Sequence, residues 1–337
     1  MSTKIEWARN ADGTQGKTWN PIVGCKEESP GCARCYALRM ARRQVAMGTR
    51  GYSEVVTGDE WNGKSVLVES ALEKPMHWRK PQTVFVCSMS DLFAESVREE
   101  WIDRVFAVMA LTPQHTYILC TKRAKRMYEY VTNRMYTEGV DDLWQAIEDL
   151  GGNVDISPPL PNVIGMVTAE NQEMADIRIP WLLRTPFVSR WVSGEPLLGP
   201  LDIQEVSTAG IGSAAGNKLS DCLHGVIVGG ESGPGARPMD PEWVRSVRDQ
   251  CAEAGVAFNF KGWGEWMPVD EIGFDWERES HKKLFVAFDA KTQTWTEQSS
   301  YMAATCAGGE ILMRVGKQRA GRILDGRTHD DCPEVAI

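Results

Sequence analysis

Cys25, Cys32 and Cys35 stand in a C-x6-C-x2-C arrangement on one short polar segment, with Pro30 and Gly31 setting a turn immediately before the second cysteine. Such a loop can bring three thiolates onto one ion or cluster. Thiolates select zinc or iron–sulfur clusters, and a closed structural zinc site normally shows a fourth cysteine or histidine at short spacing. None stands nearby, since the first histidine is His77. Three cysteines without a fourth fit a cluster with one open iron, although simple ferredoxin-type clusters use four. A zinc site closed by a distant ligand, and three unrelated buried cysteines, are the alternatives.

Around this loop the chain reads as a succession of apolar segments that end in polar or glycine residues and lead into helix-period patterns, the mark of βα units. Residues 21–24 run into the cysteine loop and a helix expected over 36–47. Residues 83–87 end in Ser88-Met89-Ser90-Asp91, with a helix over 99–111. Residues 116–120 end in Thr121-Lys122-Arg123, with a helix to about 131. Residues 162–167 end in Thr168-Ala169-Glu170-Asn171, 187–192 in Ser193-Gly194-Glu195-Pro196, and 225–228 in Gly229-Gly230-Glu231-Ser232. Asp240-Pro241 reads as an N-cap with proline at the first helical position. A last strand over 256–260 precedes Lys261-Gly262-Trp263-Gly264.

Six or seven parallel strands in this order predict an α/β fold, a partial barrel or a doubly wound sheet. In both, ligands bind at the carboxyl ends of the strands, where the polar residues collect. Polar insertions over 51–80, 136–161 and 203–223 read as lids or disordered segments, and the Ser207–Asn217 stretch as flexible. From Met267 the rhythm fades, so 1–266 is expected to form the barrel and 267–337, with Trp295, Arg314, Lys317, Arg322 and Asp325, a small extension packing on it.

The 337 residues, 42% hydrophobic, suffice for a large core. Nine cysteines, an odd number of which six are scattered singly, point to a reducing compartment rather than a disulfide framework. With no basic-then-apolar leader and no run of about 18 apolar residues, the expectation is a cytoplasmic protein without membrane contact. A formal charge of −9 argues against a generally basic, nucleic-acid-holding surface. The clusters Arg42-Arg43 and Lys122 to Arg126 read as solvated helix faces.

The three-cysteine loop followed by Tyr36-Ala37 resembles the cluster loop of the radical S-adenosylmethionine (SAM) superfamily. That superfamily usually spaces its cysteines C-x3-C-x2-C with an aromatic residue before the last. Here the first gap is six residues and the aromatic follows. Thr18-Trp19-Asn20-Pro21, Gly24-Cys25, Pro30-Gly31-Cys32, Cys35-Tyr36-Ala37, Gly229-Gly230-Glu231-Ser232-Gly233 and Gly316-Lys317 are similar to a phage and prophage family known for its three-cysteine motif. The match spans about Thr18 to Asp331. That family is in turn similar to spore photoproduct lyase-like enzymes, whose second strand ends in a segment comparable to Ser88 to Asp91.

The resemblance implies a partial (β/α)6 TIM barrel and a 4Fe–4S cluster held by Cys25, Cys32 and Cys35. It further implies SAM on the open iron, and a one-electron reductant such as flavodoxin or ferredoxin. Ser88, Ser90 and Asp91 are candidates for the SAM ammonium, helix capping being the alternative. Lys122, Thr168, Glu170 and Asn171 are candidates for its carboxylate and ribose. Glu195 and Glu231, costly to bury unpaired, are read as ribose or substrate contacts or as ion-pair partners. Gly229 and Gly230 would let backbone approach adenine.

For catalysis, Cys87, Cys120 and Lys261 are candidates, the two cysteines as hydrogen-atom donors or as plain buried hydrophobes. Among 13 tryptophans, Trp19, Trp263 and Trp266 fall at strand ends or loops, and Trp263 is the one placed to stack on a base. The expected reaction is a rearrangement of a modified thymidine in phage DNA, in the host cytoplasm. The alternatives are a radical reaction on a small molecule or peptide, and a zinc-stabilised phage accessory protein without enzymatic activity.

Overall fold

The computed structural model describes residues 5–134, 140–154, 159–204, 219–269, 284–289, 291–298 and 310–334. Seven parallel strands, Lys17–Trp19, Thr83–Val86, Thr116–Thr121, Val163–Thr168, Ser189–Gly194, Gly225–Gly229 and Ala257–Gly262, pair in sequence order in one sheet. The sheet curls into a half-barrel. Period-two alternation explains its two faces. In the third strand Tyr117 and Leu119 pack outward under the helices, while Ile118 and Cys120 turn inward. The same parity sends Val192, Val226, Val228, Phe258 and Phe260 outward, and Met166, Trp191 and Ile227 inward.

Helices Tyr36–Ala46, Glu99–Leu111, Ala124–Glu129 and Gln172–Arg184 follow the first four strands in turn, and Pro241–Ala254 follows the sixth. Asn171 caps the fourth of these by accepting from Met174 N, and Asp240 caps the fifth by accepting from Glu242 N, with Pro241 in its first turn. The inner face is filled by a short apolar cluster that includes the N-terminal segment. Trp7 and Ala8 pack with Ile118, Ile164, Met166, Trp191 and Ile227, and the Trp7 ring meets Phe85 edge-on at 5.1 Å.

Three expectations change. The first barrel strand is Lys17–Trp19, not residues 21–24. Ile22–Val23 pairs antiparallel with Val66–Leu67, inside the insertion expected to be a lid. That insertion is folded: helix Tyr52–Val55, hairpin Val56–Thr57 with Glu60–Trp61, and helix Glu69–Leu72, whose Ala71 carbonyl accepts from Trp19 Nε1 at 2.8 Å. Short alternating segments bracketed by Gly and Lys hid these elements from periodicity. In the second insertion, helix Val140–Asp149 packs on Glu99–Leu111. In the third, Leu219–Cys222 is helical, and the Ser207–Asn217 stretch lies outside the described residues.

Beyond the barrel, strands Trp266–Pro268, Ile311–Arg314, Phe285–Asp289 and Thr294–Gln298 form an antiparallel sheet in that spatial order. The chain then returns to the last barrel strand. Asn259 bridges Asp330, and Phe260 N donates to His329 O at 3.0 Å, so the sheet's open edge is capped. No described helix is long and apolar enough to cross a membrane.

Tryptophans 19, 263 and 266 are core side chains, which corrects the reading of Trp263 as a stacking surface. It is 1% exposed, edge-on to Phe260 at 4.9 Å, and donates from Nε1 to Ile323 O at 2.8 Å. Trp263→Ala is expected to lower unfolding free energy by about 3–5 kcal/mol in a urea titration. A loss under about 1 kcal/mol would contradict this packing.

Candidate functional site

The parallel bridge between Gly24 and Ser90 carries the chain to the C-terminal rim of the half-barrel, and the cysteine loop starts there. Pro30–Cys32 forms a 3-10 turn, Cys35 N donates to Cys32 O at 3.0 Å, and helix Tyr36–Ala46 begins at once. All three cysteines are free and half-buried. Burial pushes the Cys25 thiol up to about 12, Asp91 adding to the rise and Arg123 opposing it, with Cys35 close enough to contribute. Loading a metal on Cys25 therefore displaces a proton. As the chain stands, no three described His, Cys, Asp or Glu side chains are gathered at metal-holding distances.

What holds the loop is a set of buried charges from the strand ends. Arg123 donates from Nη2 to Lys26 O at 2.9 Å and pairs with Glu28 at 3.2 Å and Asp91 at 3.1 Å. Lys122 Nζ donates to Ser29 Oγ at 3.0 Å and lies 3.3 Å from both Glu170 oxygens. Glu170, fully buried, accepts from Gly31 N at 3.0 Å and from Arg178 Nη1 at 2.9 Å. Burial alone would raise the Glu170 carboxyl, but Lys122, Ser29, Arg178 and the Gly31 N–H outweigh it and hold it at about 2. Arg237 binds both oxygens of Glu231 and donates from Nη2 to Pro30 O at 3.0 Å. Residues 26, 28, 29, 30 and 31 are thus each gripped from the third, fourth or sixth strand end.

This arrangement assigns a definite place to most of the sequence candidates. Asp91 accepts from Thr121 Oγ1, Lys122 N, Phe93 N and Arg123 Nη1, so both of its oxygens are engaged. Ser90 Oγ donates to Ile22 O, and Ser88 Oγ to Asn20 Oδ1. Asn171 caps its helix. Lys122, Arg123 and Arg126 are not solvated faces, which corrects that expectation. The first two clamp the loop, and Arg126 donates to the carbonyls of Phe93, Ala94 and Val97. Gly230 is where the backbones of 229–231 and 262–264 close on each other, since a Cβ there would fall 2.1 Å from Trp263 O.

A second group lies on the inner face below the loop. Lys261 Nζ stands 2.9 Å from Glu195 Oε1, and Trp7 Nε1 donates to Glu195 Oε2 at 3.1 Å. Cys120 Sγ lies 3.5 Å from Thr168 Oγ1, and a Cβ on Gly229 would come 3.0 Å from Glu195 Oε1. Burial would lower the Lys261 ammonium, but Glu195, Glu6 and Cys120 outweigh it and raise it. Burial drives the Cys120 thiol up to about 11 and that of Cys87 to about 12, so both stay protonated at neutral pH. Lys261→Met strands the Glu195 carboxylate beside Trp7. A destabilisation of about 1–3 kcal/mol is expected in urea titration, and an unchanged midpoint would mean the pair is dispensable.

Tyr36, the residue after Cys35, donates from its hydroxyl to Ser88 O at 2.7 Å and so ties the helix start to the second strand end. Sequence reasoning missed Trp7, Ser29, Arg178 and Arg237. Arg178 and Arg237 sit inside helix or loop patterns with nothing local to mark them. Trp7 lay before the first recognised strand.

No curated protein and no solved structure matches the chain. The family model described as "Protein of unknown function (DUF5131)" matches residues 2–333, and the chain belongs to that family.

Proposed function

We propose that the chain is a radical SAM enzyme in which Cys25, Cys32 and Cys35 hold a 4Fe–4S cluster at the rim of the half-barrel. The observation that carries this reading is the loop itself. Three free, half-buried thiols stand on one short loop whose backbone is fixed by buried ion pairs, beside an inner face with a second polar group. A bare zinc knuckle closes on four ligands, whereas the loop itself supplies three cysteines and no histidine. When bound, the cluster and SAM supply a 5′-deoxyadenosyl radical that abstracts hydrogen from the substrate.

The chain's own residues position and shield. Arg123, Lys122 with Glu170, and Arg237 with Glu231 fix the loop. Thr168, Ser193, Glu195 and Lys261 line the inner face as polar contacts for cofactor or substrate, and Cys120 stands among them as the thiol that would return a hydrogen atom to the product radical, its own thiyl radical then being restored by one electron from the flavodoxin or ferredoxin and one proton. Trp7 and the inner apolar cluster exclude water beneath. The substrate in this reading is a modified thymidine of phage DNA, rearranged in place, and the electron comes from flavodoxin or ferredoxin.

Anaerobic reconstitution with iron and sulfide should give a brown protein with broad visible absorbance, about four irons per chain, that releases 5′-deoxyadenosine from SAM under dithionite. A colourless, zinc-containing protein that leaves SAM intact would sink the proposal. Turnover on a small molecule or peptide but not on modified DNA would retain the chemistry and replace the substrate.

A further inference from the structure

Helix Tyr36–Ala46 is inverted relative to an ordinary surface helix, which turns its bulky apolar residues inward. Its buried positions are the small Ala37 and Ala41, while Tyr36 is 50% exposed, Met40 39% and Val45 36%, with Met47 just beyond at 74%. Four of the seven exposed large hydrophobic residues of the described chain fall in these twelve positions. Tyr36, Met40, Arg43 and Met47 succeed one another at spacings of four, three and four, so they share one face.

The charge carried by the loop and helix themselves is of one sign, although Arg42 is paired with Asp59. Residues 29–53 contain five arginines and no aspartate, glutamate or lysine, in a chain of net charge −9. Arg34 and Arg43 are exposed, Arg43 leaning on the Met40 sulfur at 3.9 Å, and Arg39 is held against Ser232 O. Arginine pairs with phosphate as well as with carboxylate, so it is the apolar centre of exposed tyrosine and methionine that favours a protein partner. Tyrosine, methionine and arginine together, with lysine and acids excluded, are the composition of a protein-docking centre. Tyr36 is already pinned through its hydroxyl, so its ring costs little entropy to use.

We infer that this face of helix Tyr36–Ala46 is the docking surface for an acidic electron-donor protein, whose carboxylates meet Arg34, Arg39 and Arg43 around an apolar centre of Tyr36, Met40 and Met47. The helix begins at the residue after Cys35, so a partner seated on it lies beside the cysteine loop. That the partner donates an electron rests on the radical SAM reading; the surface and its acidic partner do not.

The test is binding of a bacterial flavodoxin to the full chain by biolayer interferometry, for wild type and for the double variant R43E/M47D, whose side chains are exposed. The expected result is affinity at least about tenfold weaker in the variant, and weaker again for wild type when salt rises from about 50 to 300 mM. Flavodoxin-driven SAM cleavage should fall in parallel while dithionite-driven cleavage stays within about twofold. Equal flavodoxin affinity for both proteins, or none for either, overturns the inference. So does a loss confined to duplex-DNA binding or to self-association by sedimentation. A wild type that binds flavodoxin through this face yet never cleaves SAM, with dithionite or without, keeps the docking surface and removes the proposed chemistry.

Discussion

A chain with Cys25, Cys32 and Cys35 all replaced by alanine should emerge from anaerobic reconstitution colourless, with under about a tenth of the wild-type iron, and release no 5′-deoxyadenosine above background. The expectation follows from how isolated these thiols are. No three His, Cys, Asp or Glu side chains elsewhere among the described residues are gathered so as to take over a metal. Cys87, Cys222 and Cys251 are buried and dispersed through the core, and Cys120 is held protonated by burial.

The fold should survive this change. The loop is gripped through backbone atoms and non-cysteine side chains, namely Lys26 O, Glu28, Ser29, Pro30 O and Gly31 N. The cysteine sulfur contacts are slight by comparison, Cys25 Sγ lying 4.0 Å from Arg123 Nη1. A melting temperature within about 4 °C of the metal-free wild type is therefore expected. Iron retained at wild-type level by the triple variant would place the metal elsewhere and end the assignment of these residues.

The barrel was legible because its signals are local. A βα unit announces itself by an apolar run, a polar stop and a periodic helix, and six of the seven strands fall within two residues of where alternation places them. The first strand failed for a physical reason. Lys17–Trp19 is three residues long with one buried side chain, while the neighbouring Ile22–Val23 is fully buried and more apolar, yet pairs with the insertion instead. Hydrophobicity reports burial, not which partner provides it.

The site divides along the same line. That Asp91, Lys122, Glu170, Glu195 and Glu231 belong together was readable from their positions at strand ends. Their hold on the loop was not, because those contacts connect residues 93 to 207 apart in the chain, from Ser29–Lys122 to Pro30–Arg237. A carboxylate at a strand end looks the same in sequence whether it faces a ligand or an arginine. The structure turns Asp91, Glu170 and Glu231 toward the loop, and leaves Thr168, Glu195 and Lys261 on the inner face.

Glu170→Gln is expected to cost about 3–5 kcal/mol in unfolding free energy, among the largest losses a single polar substitution produces here. Glutamine keeps the shape and can still accept from Gly31 N, but it leaves Lys122 and Arg178, whose side chains are 17% and 3% exposed, without a counter-charge. The same interaction has a pH signature. The folded carboxyl sits at about 2 against an ordinary 4.5, so its contribution is complete above about pH 4.5 and drains away as pH falls toward 2. Two and a half units correspond to about 3 kcal/mol, in line with the mutational estimate. Wild type should therefore lose stability between about pH 4.5 and 2 more steeply than Glu170→Gln, and their difference in urea midpoint should shrink across that window. Because Glu170 meets the cysteine loop at Ser29 and Gly31 and through Lys122, the variant should also hold iron more weakly at neutral pH, by about tenfold, with Arg178→Lys giving a milder version of the same loss. Parallel stability curves for the two proteins down to pH 2, with unchanged iron affinity, would show that this buried triad supports the barrel alone and leaves the loop indifferent to it.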